Sequence, residues 1–217
     1  MNSAREAIEE ILEQLQLTEV LEADVQDSTE HGELVGMLVK MLCTQMGYPV
    51  EFQQQLVDAA YVHDIGKLRL SKNLYGRDKK ALHVEEVKYM RMHAQLGKEM
   101  LEQCGFPEEI LEAVYHHHEN YDGTGYPQNL KAEKIPLEAR ILKVCDVFAA
   151  LISDRPYRPA FDAQTAIEMM TEDIKDFDMK IFLEFLKIFH SEQFAEITDF
   201  ANSLNENRRK TELIANS

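Results

Sequence analysis

Apolar residues recur along this chain at three- and four-residue intervals and rarely alternate, a pattern that predicts helices and no strand. Ala7, Ile8, Ile11, Leu12 and Leu15 form a first stripe behind a Ser3-x-x-Glu6 capping box. Residues 18–28 hold several helix starters but no clear period. Leu34, Val35, Leu38, Met41 and Leu42 define a second helix from about Thr29 to Gln45, with Gly47 as its stop. Phe52, Leu56, Val57, Ala60 and Tyr61 give a third from about Glu51 to Ile65, ended by Gly66. Residues 68–82 are basic and irregular and are expected to form a loop over one end of the domain. Val84, Val87, Met90, Leu96, Met100 and Leu101 make the stripe of one long helix, with His93 in phase. Gly105 and Pro107 separate it from a helix carrying Ile110, Leu111 and Val114, with Pro107 suited to the first helical position. A loop from Asp122 to Ile135 leads through Pro136 into Leu137 to Ile152, the most apolar stretch. Residues 162–172 and 178–205 read as helical, with Ile181, Phe182, Phe185, Leu186 and Phe189 inward and a break near His190. The last dozen residues are polar and are expected to fray. The predicted fold class is all-α.

Polar residues that fall on the apolar faces carry the chemistry. Past Val114 the helical period runs onto His117 and His118, leaving His116 pointing elsewhere, within the segment YHHHENYDGTGYP from Tyr115 to Pro127. Two inward imidazoles at a helix end, before a loop that bends at two glycines, suggest a metal site with a shaped rim. His63 and Asp64 lie side by side among apolar residues, where burial is costly without a partner. A divalent metal would be one, since imidazole and carboxylate are both ligands. Asp146 is a lone carboxylate in the apolar helix and must be protonated, hydrogen-bonded or metal-bound. His31 lies in the first turn of its helix, with Asp27 four residues earlier. A single inward histidine is more often a hydrogen-bonded core residue, so the metal reading depends on these groups converging from separate helices. In Ser153 to Pro159 two prolines stiffen a turn bearing Arg155 and Arg158. On the residues alone these arginines fit phosphate recognition or a salt-bridged surface turn equally well.

Composition narrows the class. A net charge of −16 over 217 residues argues against a general DNA- or RNA-binding protein. It leaves a small phosphate substrate open, because bound cations reverse the local field. No apolar run is long enough for a membrane span, and the N-terminal residues show no secretory signal. Three scattered cysteines, Cys43, Cys104 and Cys145, without Cys-x-x-Cys spacing, predict reduced thiols in a cytoplasmic protein.

The order His31, His63-Asp64, His93, His117-His118, Asp146 resembles the HD superfamily of metal-dependent phosphohydrolases. His117-His118-Glu119, Asp122-Gly123 and Gly125-Tyr126-Pro127 match the HHExxDGxGYP signature of its HD-GYP subfamily, as do His63-Asp64-Ile65-Gly66-Lys67 and Ser153-Asp154-Arg155-Pro156-Tyr157-Arg158. The resemblance covers about residues 27–190. It implies residues 1–24 as an N-terminal helix and linker, 25–190 as an HD-type helical bundle with a metal centre in its core, and 191–217 as a C-terminal extension.

It further implies that His31, His63, Asp64, His93, His117, His118 and Asp146 bind two divalent ions, iron or manganese, with Asp64 bridging. Asp27 stands where some members place a glutamate for a third ion. Lys67, Arg155, Arg158 and Tyr126 fall at substrate positions, Lys67 and Asp64 being the implied catalytic pair. The implied reaction is hydrolysis of a cyclic dinucleotide, cyclic di-GMP first, to the linear dinucleotide, with GMP after a second round. The chain departs from the pattern at Asp27, at Ala149 in place of an aspartate, and over Ser71 to Lys80, which lacks the usual proline. The first two departures leave a rival of another class: a slow or silent sensor or scaffold that binds the nucleotide or a diguanylate cyclase. An HD nucleotidase acting on mononucleotides is disfavoured by the GYP loop. With no room for a sensory domain, regulation would fall to expression, a sensory partner, or the N-terminal helix, which either packs on the body or pairs two copies as a homodimer.

Overall fold

The computed structural model describes residues 19–74, 90–155 and 158–215. Nine α-helices are present among them: α1 Glu19–Gln45, α2 Val50–Val62, α3 Gly66–Leu74, α4 His93–Gln103, α5 Glu108–His116, α6 Leu137–Leu151, α7 Ala163–Glu172, α8 Met179–Phe189 and α9 Phe194–Ala215. Among the described residues there is no strand, and the one bridge joins Arg155 to Arg158. The all-α expectation therefore holds.

α1 is the spine. It packs on α2, α3, α6, α8 and α9, while α5 lies between α2, α4 and α6. The interior stripe of α1 (Leu34, Val35, Leu38 and Leu42) is buried, as its spacing demands. A second apolar focus joins α6 to α8 and α9. Phe148 sits 5.2 Å from Phe185 and 5.5 Å from Phe194, ring centre to ring centre. Burying each such ring contributes roughly 1.5–3 kcal/mol.

Several boundaries differ from the sequence expectation. α1 begins by Glu19, so residues without their own apolar period are carried by a helix whose other end is packed. The basic stretch expected as a loop is helical as far as Leu74, because Leu68 and Leu70 are buried. The single long helix through Met90 and Leu101 is interrupted by a turn at Arg91 and Met92, and α4 starts at His93. Val84, Val87, the remainder of the basic loop and the N-terminal helix predicted behind Ser3 lie outside the described residues. Pro107 caps α5 from outside instead of opening it. The chain breaks near His190 as expected, but the polar tail is helical to Ala215.

One close approach fixes the site's floor. A Cβ on Gly66 would stand 2.0 Å from the His93 carbonyl oxygen and 2.6 Å from the Gly97 nitrogen. Only glycine lets α3 lie against α4, and that contact brings the His63-Asp64 segment to His93.

Candidate metal centre

Five segments deliver the polar residues to one buried point. His31 comes from α1, His63 and Asp64 from the turn after α2, His93 from the start of α4, His117 and His118 from the end of α5, and Asp146 from the middle of α6. All but His118 are buried, His117 completely.

Three of the histidines are aimed by the same local device. Nδ1 of His63, His93 and His117 donates to the carbonyl three residues earlier, on Ala60, Met90 and Val114, at 2.7, 2.6 and 2.6 Å. A carbonyl only accepts, so these bonds fix the tautomer and leave each Nε2 as a lone pair facing the centre. The Nε2 atoms of His93 and His117 then face each other at 3.3 Å with no proton between them. His118 Nε2 lies 3.0 Å from that of His93.

The carboxylates complete the arrangement. Asp64 has one oxygen 3.5 Å from His63 Nε2 and the other 3.5 Å from His93 Nε2. Asp146 Oδ1 lies 2.9 Å from His31 Nε2 and 3.6 Å from His63 Nε2. Ligand atoms fall into overlapping groups within 4.8 Å: Asp64 with His93, His117 and His118; His31 with His63 and Asp64; and His63 with His117 and Asp146. His63 Nε2, His31 Nδ1 and Asp64 Oδ1 are buried without a hydrogen-bond partner among the described residues. Facing lone pairs and orphaned acceptors are costly in a dry interior, and a divalent cation would satisfy them together.

Protonation states agree. Burial, reinforced by neighbouring imidazoles, holds His117 and His118 well below their ordinary range. Burial also lowers His31 and His93, against the pull of Asp146 and Asp64 respectively. Burial opposes charge on His63 as well, but Asp64 and Asp146 outweigh it and raise that group. For Asp146 burial pushes upward, yet the hydrogen bond from His31 and the nearby His63 imidazole hold its carboxyl well below the carboxylate range. Asp64 is held down in the same way, against burial, by Lys67 first and then His63. Mostly neutral imidazoles around ionised carboxylates are the state a divalent metal requires.

The rim is built by the loop after α5. Glu119 is buried and accepts from the backbone N–H groups of Gln128 and Leu130 at 2.6 and 3.0 Å. A Cβ on Gly125 would meet the Asn120 nitrogen at 2.1 Å, so only glycine closes this loop. Tyr126 consequently stacks on His118 at 4.7 Å, and the Arg91 guanidinium lies over its ring at 4.9 Å. His116, directed away from the cluster as expected, is nonetheless buried and pairs with Glu112 at 3.2 Å.

The basic residues divide. Lys67 Nζ reaches Asp64 Oδ2 at 2.5 Å, and Arg155 adds its positive charge to the field around His31. Arg158 is tied to its own backbone neighbourhood. Its terminal nitrogens turn back to the carbonyls of Ala150, Leu151 and Pro159, at 2.7, 3.2 and 3.0 Å, and it caps the end of α6. Asp27 is absent from the ligand groups. Its carboxylate is held by Arg208 of α9. Ala149 is buried among core side chains.

Sequence reasoning missed Lys143, which lines a cleft of about 140 Å³ with Asp173 and Asp176 and whose charge reaches His118. It breaks the apolar run of α6 one turn before Asp146, which was the available signal. It also missed Arg208, whose polar surroundings gave none.

Comparison with known proteins places the arrangement. A family model described as HD domain matches residues 16–181. A cyclic di-GMP phosphodiesterase of Pseudomonas aeruginosa is 37% identical over 158 residues, covering 72% of this chain and 38% of the relative. A 3′3′-cGAMP-specific phosphodiesterase of Vibrio cholerae is 30% identical over 168 residues, covering 77% and 39%. The chain thus spans under two-fifths of the length of these relatives. Among solved structures, an HDG"Y"P protein of Bdellovibrio bacteriovorus superposes with a TM-score of 0.62 at 18% identity, over 87% of this chain and 62% of that one. That likeness concerns the fold.

Proposed function

Since the chain belongs to the HD domain family, we propose that it is a metal-dependent phosphodiesterase that hydrolyses a cyclic dinucleotide, cyclic di-GMP first, to the linear dinucleotide. The observation that carries the reading is the pair of overlapping ligand groups sharing Asp64, with the lone pairs of His93 and His117 left facing each other. Two divalent ions, iron or manganese, would be held by His31, His63, Asp64, His93, His117, His118 and Asp146. When bound they would supply Lewis-acid stabilisation of phosphate charge and an activated water nucleophile.

The chain's own residues do the rest. Lys67, fixed beside Asp64, places a cation where charge develops on the phosphate oxygens. Arg155 offers a second cation on the His31 side for the other phosphate. Tyr126, stacked on His118 with the Arg91 guanidinium over its ring, would border the substrate through its ring edge beside the centre. GMP would follow only from a second cleavage of the linear product.

The test is anaerobic purification, metal analysis, and turnover of cyclic di-GMP, cyclic GMP-AMP and cyclic di-AMP. The reading expects close to two equivalents of metal, cleavage of a cyclic dinucleotide, and loss of both on chelation. Full metal content with nucleotide bound but intact would favour the silent-sensor alternative instead.

A further inference from the structure

We propose that the second half of α9 is a positioning element of the substrate site, holding Asp154 and, through it, the backbone of its neighbour Arg155 in place relative to the segment that leads into His31. The apolar attachment of α9 ends early: Phe194, Ile197 and Ala201 are buried, and beyond them the helix turns polar. Asn205, Arg208 and Arg209 nevertheless share one face, at i, i+3 and i+4, and all three act on Asp154, the residue before Arg155.

Asn205, buried, accepts from the Asp154 N–H at 2.8 Å and donates to the Ile152 carbonyl at 3.0 Å. Arg208 donates to the Asp154 carbonyl at 2.5 Å. Arg209 forks onto the Asp154 carboxylate at 2.6 and 2.9 Å, and that carboxylate also accepts from the Ala160 N–H at 2.7 Å. Every polar group of Asp154 is therefore taken, four of its five bonds being made with three residues on one turn of α9. The other terminal nitrogen of Arg208 holds Asp27 and lies 3.6 Å from Glu30, directly ahead of His31. One helix thus ties the His31 segment to the loop bearing Arg155. It lies beyond the residues matched by the HD domain model, which end at 181.

Arg209 is exposed and its partner Asp154 belongs to none of the ligand groups, so its loss should spare the fold. The kinetic arm of the test rests on the phosphodiesterase reading. In full-length, metal-loaded protein, Arg209→Ala should raise KM for the cyclic dinucleotide about tenfold, the scale of one charge-assisted hydrogen bond, with kcat and metal content unchanged. Arg209→Lys should recover part of the loss. The effect should vanish in an Arg155→Ala background, since both would remove the same interaction. Backbone amide exchange at Asp154 and Ala160 should accelerate in Arg209→Ala. Unchanged exchange, an equal KM loss without Arg155, or a joint fall of kcat and metal content would each overturn the proposal. If the wild-type protein cleaves no cyclic dinucleotide, the functional reading falls on its own, and the exchange measurement still decides whether the clamp exists.

Discussion

His31 Nε2 and Asp146 Oδ1 lie 2.9 Å apart although 115 positions separate them in the chain. The pair joins α1 to α6 inside the protein, and Asp146 extends the contact to His63 at 3.6 Å. A carboxylate shared by two imidazoles in a dry site serves better as a ligand than as a structural bridge, because a plain hydrogen-bonded pair leaves His31 Nδ1 and His63 Nε2 unsatisfied.

Asp146→Ala is therefore expected to lose metal and activity together, by more than the roughly 10–100-fold typical of groups that merely orient a ligand. Asp146→Asn should keep the helical fold. Metal analysis beside circular dichroism checks this, and full metal content in the alanine variant would remove Asp146 from the ligand set.

Lys67→Ala should lower kcat by roughly 10²–10³-fold with metal content intact, because it deletes charge stabilisation but no ligand. Single-turnover kinetics on metal-loaded protein reads this directly. Loss of metal in step with activity would show that Lys67 serves only to hold Asp64, to which it is bonded.

The two arginines should separate. Arg155→Ala is expected to raise KM at constant melting temperature. Arg158→Ala should instead destabilise the protein by about 1–2 kcal/mol, through the carbonyls it leaves unpaired at the end of α6, with KM little changed. Thermal melts and steady-state kinetics on both variants distinguish the roles.

Metal-free protein should lose stability as pH falls below about 6.5. His31, His93, His117 and His118 all titrate lower in the folded state than the ordinary value of 6.5. Between that value and their folded values the unfolded chain binds more protons, which favours unfolding. His63, shifted upward, opposes the trend but is one group against four. Asp64 and Asp146 add to the loss at still lower pH, as their stabilising ionisation is removed. Melting temperature against pH in chelator should slope downward from pH 7 to 5, and a flat profile would contradict the neutral state assigned to these imidazoles.

The sequence by itself determined the helical class and most of the polar residues drawn into the core. Both follow from local rules: a 3.6-residue period sets which face is buried, and His63, Asp64, His93, His117, His118 and Asp146 each interrupt an apolar stretch where an unpartnered polar group is costly. That logic fails where a polar residue's partner is remote. Arg155 and Arg158 look equivalent in a proline-stiffened turn, yet only the packing at the end of α6 places carbonyls around the second. Asp27 sits one helical turn from His31, and nothing in its own stretch announces that α9 brings Arg208 from 181 positions away to hold it. The interruption at Arg91 and Met92, which lets Nδ1 of His93 reach the Met90 carbonyl, leaves no trace in the hydrophobic stripe, because the stripe registers burial and not hydrogen bonding. Periodicity decides which side chains face inward, whereas partners far apart in sequence are chosen only when the helices have docked.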